Sequence, residues 1–461
     1  MDELSDKQKA IFKRGTNVGE IARMLFPGGE VAAQGDPPDY DKALKKTKEL
    51  IIEGAKVIYE AAFTFNKVLS IADIAVRKGD IWNIYEVKSS TSVSETYLND
   101  AALQYYVISN MGISVKDFSI VYINNQYVRK GELNLNELFV SESVIDLILP
   151  LQNFIKEKVE RFKKLLIHKQ IPDIDIGEHC YSPYICSFFN YCRKHIPKDS
   201  IFDFSGMHLA KKYELYNEGI IKIDDVPGNF SLSKNNKLQL EAYKSNKLVV
   251  NQKAIRNFMS DLNYPLIFMD FETFQPAVPL FDNTRPYQQI PFQYSIHVKE
   301  KEDKEPKHLE FLAEQGEDPR LRFIENLLRD VKGEADIIVY NKSFEVVRLK
   351  EIARDFPQYS DEIEKLILRI KDLMVPFQRK YYYDPEMKGS YSIKAVLPSL
   401  LPDLSYDRLE INEGGLASMA YERLQSETDL MFIAEIKQQL LEYCKIDTLG
   451  MVRILEKLNK I

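Results

Sequence analysis

The sequence lacks any apolar run of the roughly 20 residues that a bilayer-spanning helix requires. Its most apolar stretches, such as 266–269 and 144–151, are short, and the second is broken by Asp146. Its beginning, MDELSDKQK, is charged and has no apolar core of a secretory signal. A soluble, cytoplasmic chain is therefore expected, with no membrane contact. Positive charge is also lacking. With 62 Lys and Arg against 69 Asp and Glu, the net charge is -7, which excludes a protein that holds nucleic acid by bulk charge alone. With 19 Gly and 20 Pro, fibrous and low-complexity classes drop out. Cysteine is scarce, four in all, and three lie within 180–192. That clustering argues for a metal or cluster site and against a disulfide framework.

What is present suffices for sizeable cores: 461 residues, 45% of them hydrophobic, with 26 Tyr and 25 Phe. The length implies two domains of about 200 residues each. Apolar spacing predicts helical structure before residue 60, strands at 68–76 and 81–87 around a hairpin turn, a helix at 98–111, a strand at 118–123 and a long helix at 141–168. The chain then turns polar and irregular, so 201–264 reads as a connector. A second domain, 265–461, opens with strand 266–271 and closes with helix 429–459. No internal repeat is visible, so the halves, 1–200 and 265–461, are expected to be different α/β folds.

In strand 81–89, alternate side chains share a face, which puts Glu86 and Lys88 with Trp82 and Ile84. The other face is apolar too, and a buried Glu and Lys are costly unless paired or bound to something. Asp73, in the hairpin's other strand, is a second acid inside an apolar run. Converging carboxylates can hold a divalent cation, while the lysine orients or deprotonates an attacking water. The plain alternative is a Glu86–Lys88 ion pair at a strand edge. The segments Ala72-Asp73-Ile74 and Tyr85-Glu86-Val87-Lys88 resemble the PD-(D/E)XK nuclease motif, in the RecB-like branch that includes CRISPR adaptation nucleases. Gln104 and Tyr106 resemble that branch's accessory motif. Arg14-Gly15 to Glu20 and Phe26-Pro27-Gly28-Gly29 resemble its N-terminal helix, with Glu20 at a metal-facing position.

Cys180, Cys186 and Cys192 are separated by five residues each, among aromatics and Pro183, which suggests a loop wrapped around zinc or an iron-sulfur cluster. The resemblance implies a 4Fe-4S staple with its fourth cysteine near the N-terminus. The sequence as it stands has none there. It reads as a shortened form, or as a mixed site completed by His179 or His195.

Strand 266–272 puts Asp270 and Glu272 on one face, where like charges repel unless a cation binds. In the closing helix, Ile436, Leu440, Tyr443, Asp447, Met451 and Ile454 form one stripe, so an aspartate stands in an apolar face. Glu345 opens a helix after the strand near 336–340; a carboxylate there also suits the helix dipole. Asp270-x-Glu272, Asn341 to Glu345, and Tyr443-x-x-x-Asp447 resemble the three motifs of DEDD-type 3'-to-5' exonucleases with a ribonuclease H-like fold. Glu345 departs from the aspartate usual in the second motif. The order of modules, together with Ser390 to Pro398, resembles an uncharacterised bacterial family that fuses the two nucleases. The resemblance implies a restriction-endonuclease-like domain (1–200, with its cysteine segment 179–195) plus a ribonuclease H-like domain. It implies catalytic Asp73, Glu86, Lys88, Asp270, Glu272, Glu345, Tyr443 and Asp447. Mg2+ or Mn2+ would sit on Asp73, Glu86, Asp270, Glu272 and Asp447, and a 4Fe-4S cluster or Zn2+ on the cysteines. The expected activity is phosphodiester hydrolysis, on DNA rather than RNA, with a helicase or defence-system partner. One active domain, or a non-catalytic nucleic-acid-binding protein, is the alternative.

Overall fold

The computed structural model describes residues 2, 6–35, 37–404, 406 and 409–461. Its contacts gather into two compact units. One comprises Leu4–Ile174 with Pro276–Gln288, the other Met1–Glu3, Asp175–Gln275 and Gln289–Ile461. Both mix helices and strands. The division differs from the expected one at 200 and 264, for a packing reason. Cys180 packs with Ile176 and Tyr213, and Ile201, Phe204, Leu215, Ile223 and Val226 form a further cluster. The expected connector also holds helices Leu209–Asn217, Lys234–Ser245 and Gln252–Ser260.

The unit built on Leu4–Ile174 runs through α1 (Asp6–Arg23), β1 (Glu30–Val31), α2 (Tyr40–Glu53), β2 (Val57–Phe65), β3 (Val68–Lys78), β4 (Ile81–Lys88), α3 (Glu95–Asn110), β5 (Ser114–Ile123), β6 (Phe139–Ser143) and α4 (Gln152–Ile167). The six strands lie in sequence order. β1–β2 and β4–β5 are parallel and the other pairs antiparallel. The β3–β4 hairpin turns at Gly79, whose φ of 69° favours glycine. α3 begins on Ser94, whose side chain caps the Tyr97 N–H, and buries Ala101, Ala102 and Val107 against the sheet. The predicted helix at 141–168 is shorter. Val140 to Ser143 pair with β5, and Pro150, which has no N–H to give, stands just ahead of α4. Gly29, in the Phe-Pro-Gly-Gly segment, has no room for a side chain, since a Cβ would lie 2.5 Å from the Tyr59 ring. The Tyr59 hydroxyl donates to Phe26 O at 2.6 Å and accepts from Gly29 N–H at 3.2 Å.

The other unit contains β7 (Leu266–Phe274), β8 (Ile290–Lys299), β9 (Lys307–Leu312), α5 (Pro319–Asp330), β10 (Asp336–Val339), α6 (Lys342–Asp355), β11 (Ile370–Asp372), α7 (Ile393–Leu400) and α8 (Leu430–Asn459). Its sheet has the order β9-β8-β7-β10-β11. β9, β8 and β7 are antiparallel, while β7, β10 and β11 are parallel. β7 is central and buried on both faces apart from half-buried Asp270. α8 starts on Asp429, which caps Met431 and Phe432, and buries Leu440, Met451, Ile454 and Leu458. Among the described residues no helix is long and apolar enough to cross a membrane.

Candidate functional site

In the first unit, β3 and β4 bring Asp73 and Glu86 together. Asp73 Oδ2 accepts the Val87 N–H at 2.6 Å. Burial, then Glu86 and Glu60, push its carboxyl well above the usual carboxylate range. Glu86 is raised too, chiefly by burial, with Lys88 pulling the other way. Its Oε1 accepts from Lys88 Nζ at 2.8 Å, and Lys88 also reaches Asp100 Oδ2 at 2.6 Å. Burial alone would lower the Lys88 ammonium, but Glu86 and Asp100 outweigh it and raise it. Lys88 is therefore a fixed cation at neutral pH. Held between the two carboxylates, it is placed to orient a water.

Glu86 Oε2 is buried with no hydrogen-bond partner among the described residues. Such an orphan oxygen beside a second carboxylate is what a bound cation would satisfy. Gln104 is buried beside Glu86 and helps to hold its carboxyl down. Tyr106, by contrast, packs edge-on against Phe65 at 5.6 Å in the core. Glu20 is exposed on α1. The acid that sequence reasoning missed is Glu60. It lies opposite Asp73, between the pairs Tyr59–Ile74 and Ala61–Ala72. Its φ of 51° is unusual for a non-glycine residue, and Arg23 pins it at 2.6 Å.

In the second unit, β7 supplies Asp270 and Glu272, α6 supplies Glu345, and α8 supplies Tyr443, Cys444 and Asp447. A bulge in the β7–β8 pairing falls immediately after Glu272. Ligand atoms of Asp270, Glu272 and Cys444 all lie within 4.8 Å of one another. Cys444 Sγ is 3.7 Å from Asp270 Oδ2. Burial and then Asp447 push Asp270 well up. Glu272 is raised by burial, Asp270 and Asp447. Glu345, 1% exposed, is raised by burial and then Asp270, and its Oε2 has no partner among the described residues. Asp447 is raised to about 6 by burial, against the pull of Tyr406, Lys394 and Tyr443. Each charge makes the others less tolerable, and hard oxygen donors in that state fit a divalent cation. Cys444 adds a softer donor beside them.

Two residues complete this cluster: Tyr406, which no sequence pattern singles out, and Lys394, which lies in the Ser390 to Pro398 segment. The Tyr406 hydroxyl donates to Asp447 Oδ1 at 2.6 Å. Lys394, on α7, is exposed and hydrogen-bonds to Asn412 O. Its Nζ lies 5.4 Å from the centroids of both the Tyr406 and Tyr443 rings. Glu345 is placed by the start of α6, where Asn341 adopts a left-handed φ of 77°. Asp372 on β11 accepts the Asn341 and Lys342 N–H groups at 3.1 Å each.

The three clustered cysteines are not brought together to the 4.8 Å spread met by Asp270, Glu272 and Cys444. Cys180 is buried, Cys186 exposed and Cys192 half-buried. Cys180 Sγ lies 3.6 Å from His179 Nε2, while His195 is engaged by Tyr216 at 2.7 Å.

Residues 267–392 match a family described as a domain of unknown function, DUF2779. That stretch includes Asp270, Glu272 and Glu345 and ends before Tyr443 and Asp447. The chain is 25% identical over 411 residues to the uncharacterized MG366 homolog of Mycoplasma pneumoniae, covering 77% of this chain and 61% of that protein. It is 31% identical over 177 residues to the uncharacterized protein UU173 of Ureaplasma parvum, covering 36% and 26% respectively. The uncharacterized MG366 of Mycoplasma genitalium is 24% identical over 401 residues, 76% of this chain and 60% of its own length. The chain thus spans less than two thirds of each of these relatives.

Proposed function

We propose that the chain is a metal-dependent nuclease with two active sites, a PD-(D/E)XK site around Asp73 and Glu86 and a DEDD-type exonuclease site around Asp270. The observation that carries this reading is the convergence of Asp270, Glu272, Glu345 and Asp447 in one buried place, each raised by burial and the first three also by neighbouring carboxylates. The sheet order supports it. Three antiparallel strands followed by two parallel ones, with the first acids on the central strand, suit a ribonuclease H-like fold. The β3–β4 hairpin followed by α3 and a parallel β5 suits the restriction-endonuclease-like core.

Asp270, Glu272, Glu345 and Asp447 would hold Mg2+ or Mn2+ in one site, Asp73 and Glu86 in the other. A divalent ion supplies Lewis-acid stabilisation of phosphate charge and a more acidic bound water. The protein's own groups do the rest. Tyr443, its phenol raised by burial and by Asp447, stays protonated and can donate a hydrogen bond. Tyr406 fixes the rotamer of Asp447, and Lys394 brings a cation to the mouth of an otherwise acidic site. In the first unit Lys88, clamped by Glu86 and Asp100, orients a water or a phosphate oxygen. DNA is the favoured substrate, with the cytoplasm as compartment and a helicase or defence assembly as partner class.

The test compares the full chain with Glu86→Ala/Lys88→Ala and Asp270→Ala/Glu272→Ala variants on end-labelled DNA and RNA with Mg2+ or Mn2+. Each variant should lose one of two activities. A folded, metal-supplied parent that cleaves nothing, or two variants as active as the parent, refutes the two-site reading.

A further inference from the structure

Position 444 is unassigned in the Tyr443-x-x-x-Asp447 pattern, yet in the folded chain its cysteine faces the acids of β7. Cys444 Sγ lies 3.7 Å from Asp270 Oδ2 and 3.9 Å from Asp270 O. Ligand atoms of Asp270, Glu272 and Cys444 lie within 4.8 Å of one another. On α8, Cys444 and Asp447 are three residues apart, so one helix face carries both. A second observation points to a ligand. Glu345, 1% exposed, keeps its Oε2 without a partner among the described residues, while Asp270 bears on its charge and it bears on that of Glu272. A cation is what such a set of donors lacks. The separation of 3.7 Å is close to the edge, about 3.5 Å, of a tetrahedron built on a metal–sulfur distance of about 2.3 Å and a metal–oxygen distance of about 2.0 Å.

We propose that Asp270, Glu272 and Cys444 form a thiolate–carboxylate position, one of the cation positions of this cluster, that selects Zn2+ over Mg2+. The inference rests on the nuclease reading only in taking the cluster to hold a cation, and it adds the identity of the ion. Mg2+ is hard and keeps oxygen ligands and water, so sulfur gives it nothing. Zn2+ is borderline and takes sulfur and carboxylate oxygen together. Binding exchanges the S–H bond for a metal–sulfur bond; the proton passes to solvent and no electron changes hands. A cysteine kept only as a small core side chain would turn its sulfur to apolar carbons, whereas this one turns it to a carboxylate. A thiol that merely donates a hydrogen bond to Asp270 is told apart by Cys444→Ser, which keeps a donor and loses the soft ligand.

The probe is Co2+, which substitutes for Zn2+ and shows a near-ultraviolet charge-transfer absorption when a thiolate binds it. Cys180, Cys186 and Cys192 would add to that band, so the full chain carries Cys180→Ser/Cys186→Ser/Cys192→Ser, which leaves Cys444 as its sole cysteine. Circular dichroism checks that this background folds. Co2+ should raise the band, Zn2+ should abolish it, and an excess of Mg2+ should leave it in place. Cys444→Ser in the same background should remove the band. It should also lower the affinity for Zn2+ relative to Mn2+ by about 100-fold or more, since losing a group that only supports a ligand already costs about 10- to 100-fold. Co2+ bound without the band, or displaced by Mg2+ as readily as by Zn2+, overturns the proposal. If the serine background does not fold, the parent and its Cys444→Ser variant are compared, and a difference spectrum without the band overturns it equally. Cleavage assays separate the two claims. Co2+ bound without the band removes the role of Cys444 and leaves the nuclease reading, whereas a folded chain that binds no divalent ion at this cluster removes both. A chain that shows the band and cleaves no nucleic acid keeps the thiolate position and loses the nuclease reading.

Discussion

Asp447 is 7% exposed on a helix stripe otherwise made of core residues, and three neighbours make its charge tolerable there. Tyr406 donates directly to its Oδ1, Lys394 contributes at longer range, and Tyr443 faces it from the preceding turn. A hydrogen bond to a charged group is worth about 1.5–3 kcal/mol, and losing one in a buried place also frees the acceptor to rotate. Partners that orient metal-binding carboxylates typically set affinity within about 10- to 100-fold. Tyr406→Phe is therefore expected to weaken Mn2+ binding roughly 10- to 100-fold at this site. Calorimetry on the full chain measures it, in an Asp73→Asn background that silences the other site. An affinity equal to that of the background would reduce Tyr406 to packing. Nothing in the sequence marks Tyr406, which belongs to no periodic element shared with Asp447, whereas Lys394 stands in the Ser390 to Pro398 segment that carries the family resemblance.

At the level of elements, α6 illustrates how a helix start aims a side chain. Asn341 adopts the left-handed conformation that asparagine tolerates better than most residues, and Asp372, from the neighbouring β11, takes over the capping. Glu345 follows in the first turn and is thereby directed at Asp270. Asp372→Ala should cost about 0.5–2 kcal/mol of stability by removing the cap. It should also lower activity at the Asp270 site while leaving that at the Asp73 site unchanged. Denaturant melts together with end-labelled substrates would read both; full activity at both sites would mean that Glu345 needs no such aim. The acids of β7 and α8 were legible because period two and period 3.6 put them on identifiable faces. Glu60 was not, since its place opposite Asp73 follows from hairpin register and a positive φ that no residue type announces. The helices between 201 and 264 escaped for a related reason. Their polar sequences, such as Lys234 to Gln239, give little periodic contrast although Asn236 and Gln239 are buried. The segment Pro276–Gln288 gathers with the other unit because Ala277 and Tyr287 pack with Val18, Ala22 and Val121.

At the scale of the whole molecule, a net charge of -7 says little about proton binding, because burial decides which groups titrate. His297 is the clearest case. It is 3% exposed on β8, and its Nδ1 lies 2.8 Å from the Thr448 hydroxyl. Burial lowers its pKa to about 3, helped by His308, 4.6 Å away on β9, and by Lys445 and Arg453 on α8. All three neighbours are cations or become so in acid, so each opposes a proton on the ring. An unfolded histidine titrates near 6.5, so between about 6.5 and 3 the unfolded chain binds a proton that the folded one refuses. Stability from this group is thus fully present above pH 6.5 and falls as pH drops, with a positive slope against pH. Between pH 6.5 and 4.5 the loss should reach about 1–2 kcal/mol once solvent screening is allowed for. For a unit of this size that is a fall of about 2–8 °C in melting temperature. His297→Gln removes the titration and should remove that part of the acid sensitivity. Thermal melts of parent and variant without metal, from pH 4.5 to 8, read the difference. Parallel curves across the whole range would mean that the folded protein accepts the proton on His297 as readily as the unfolded chain.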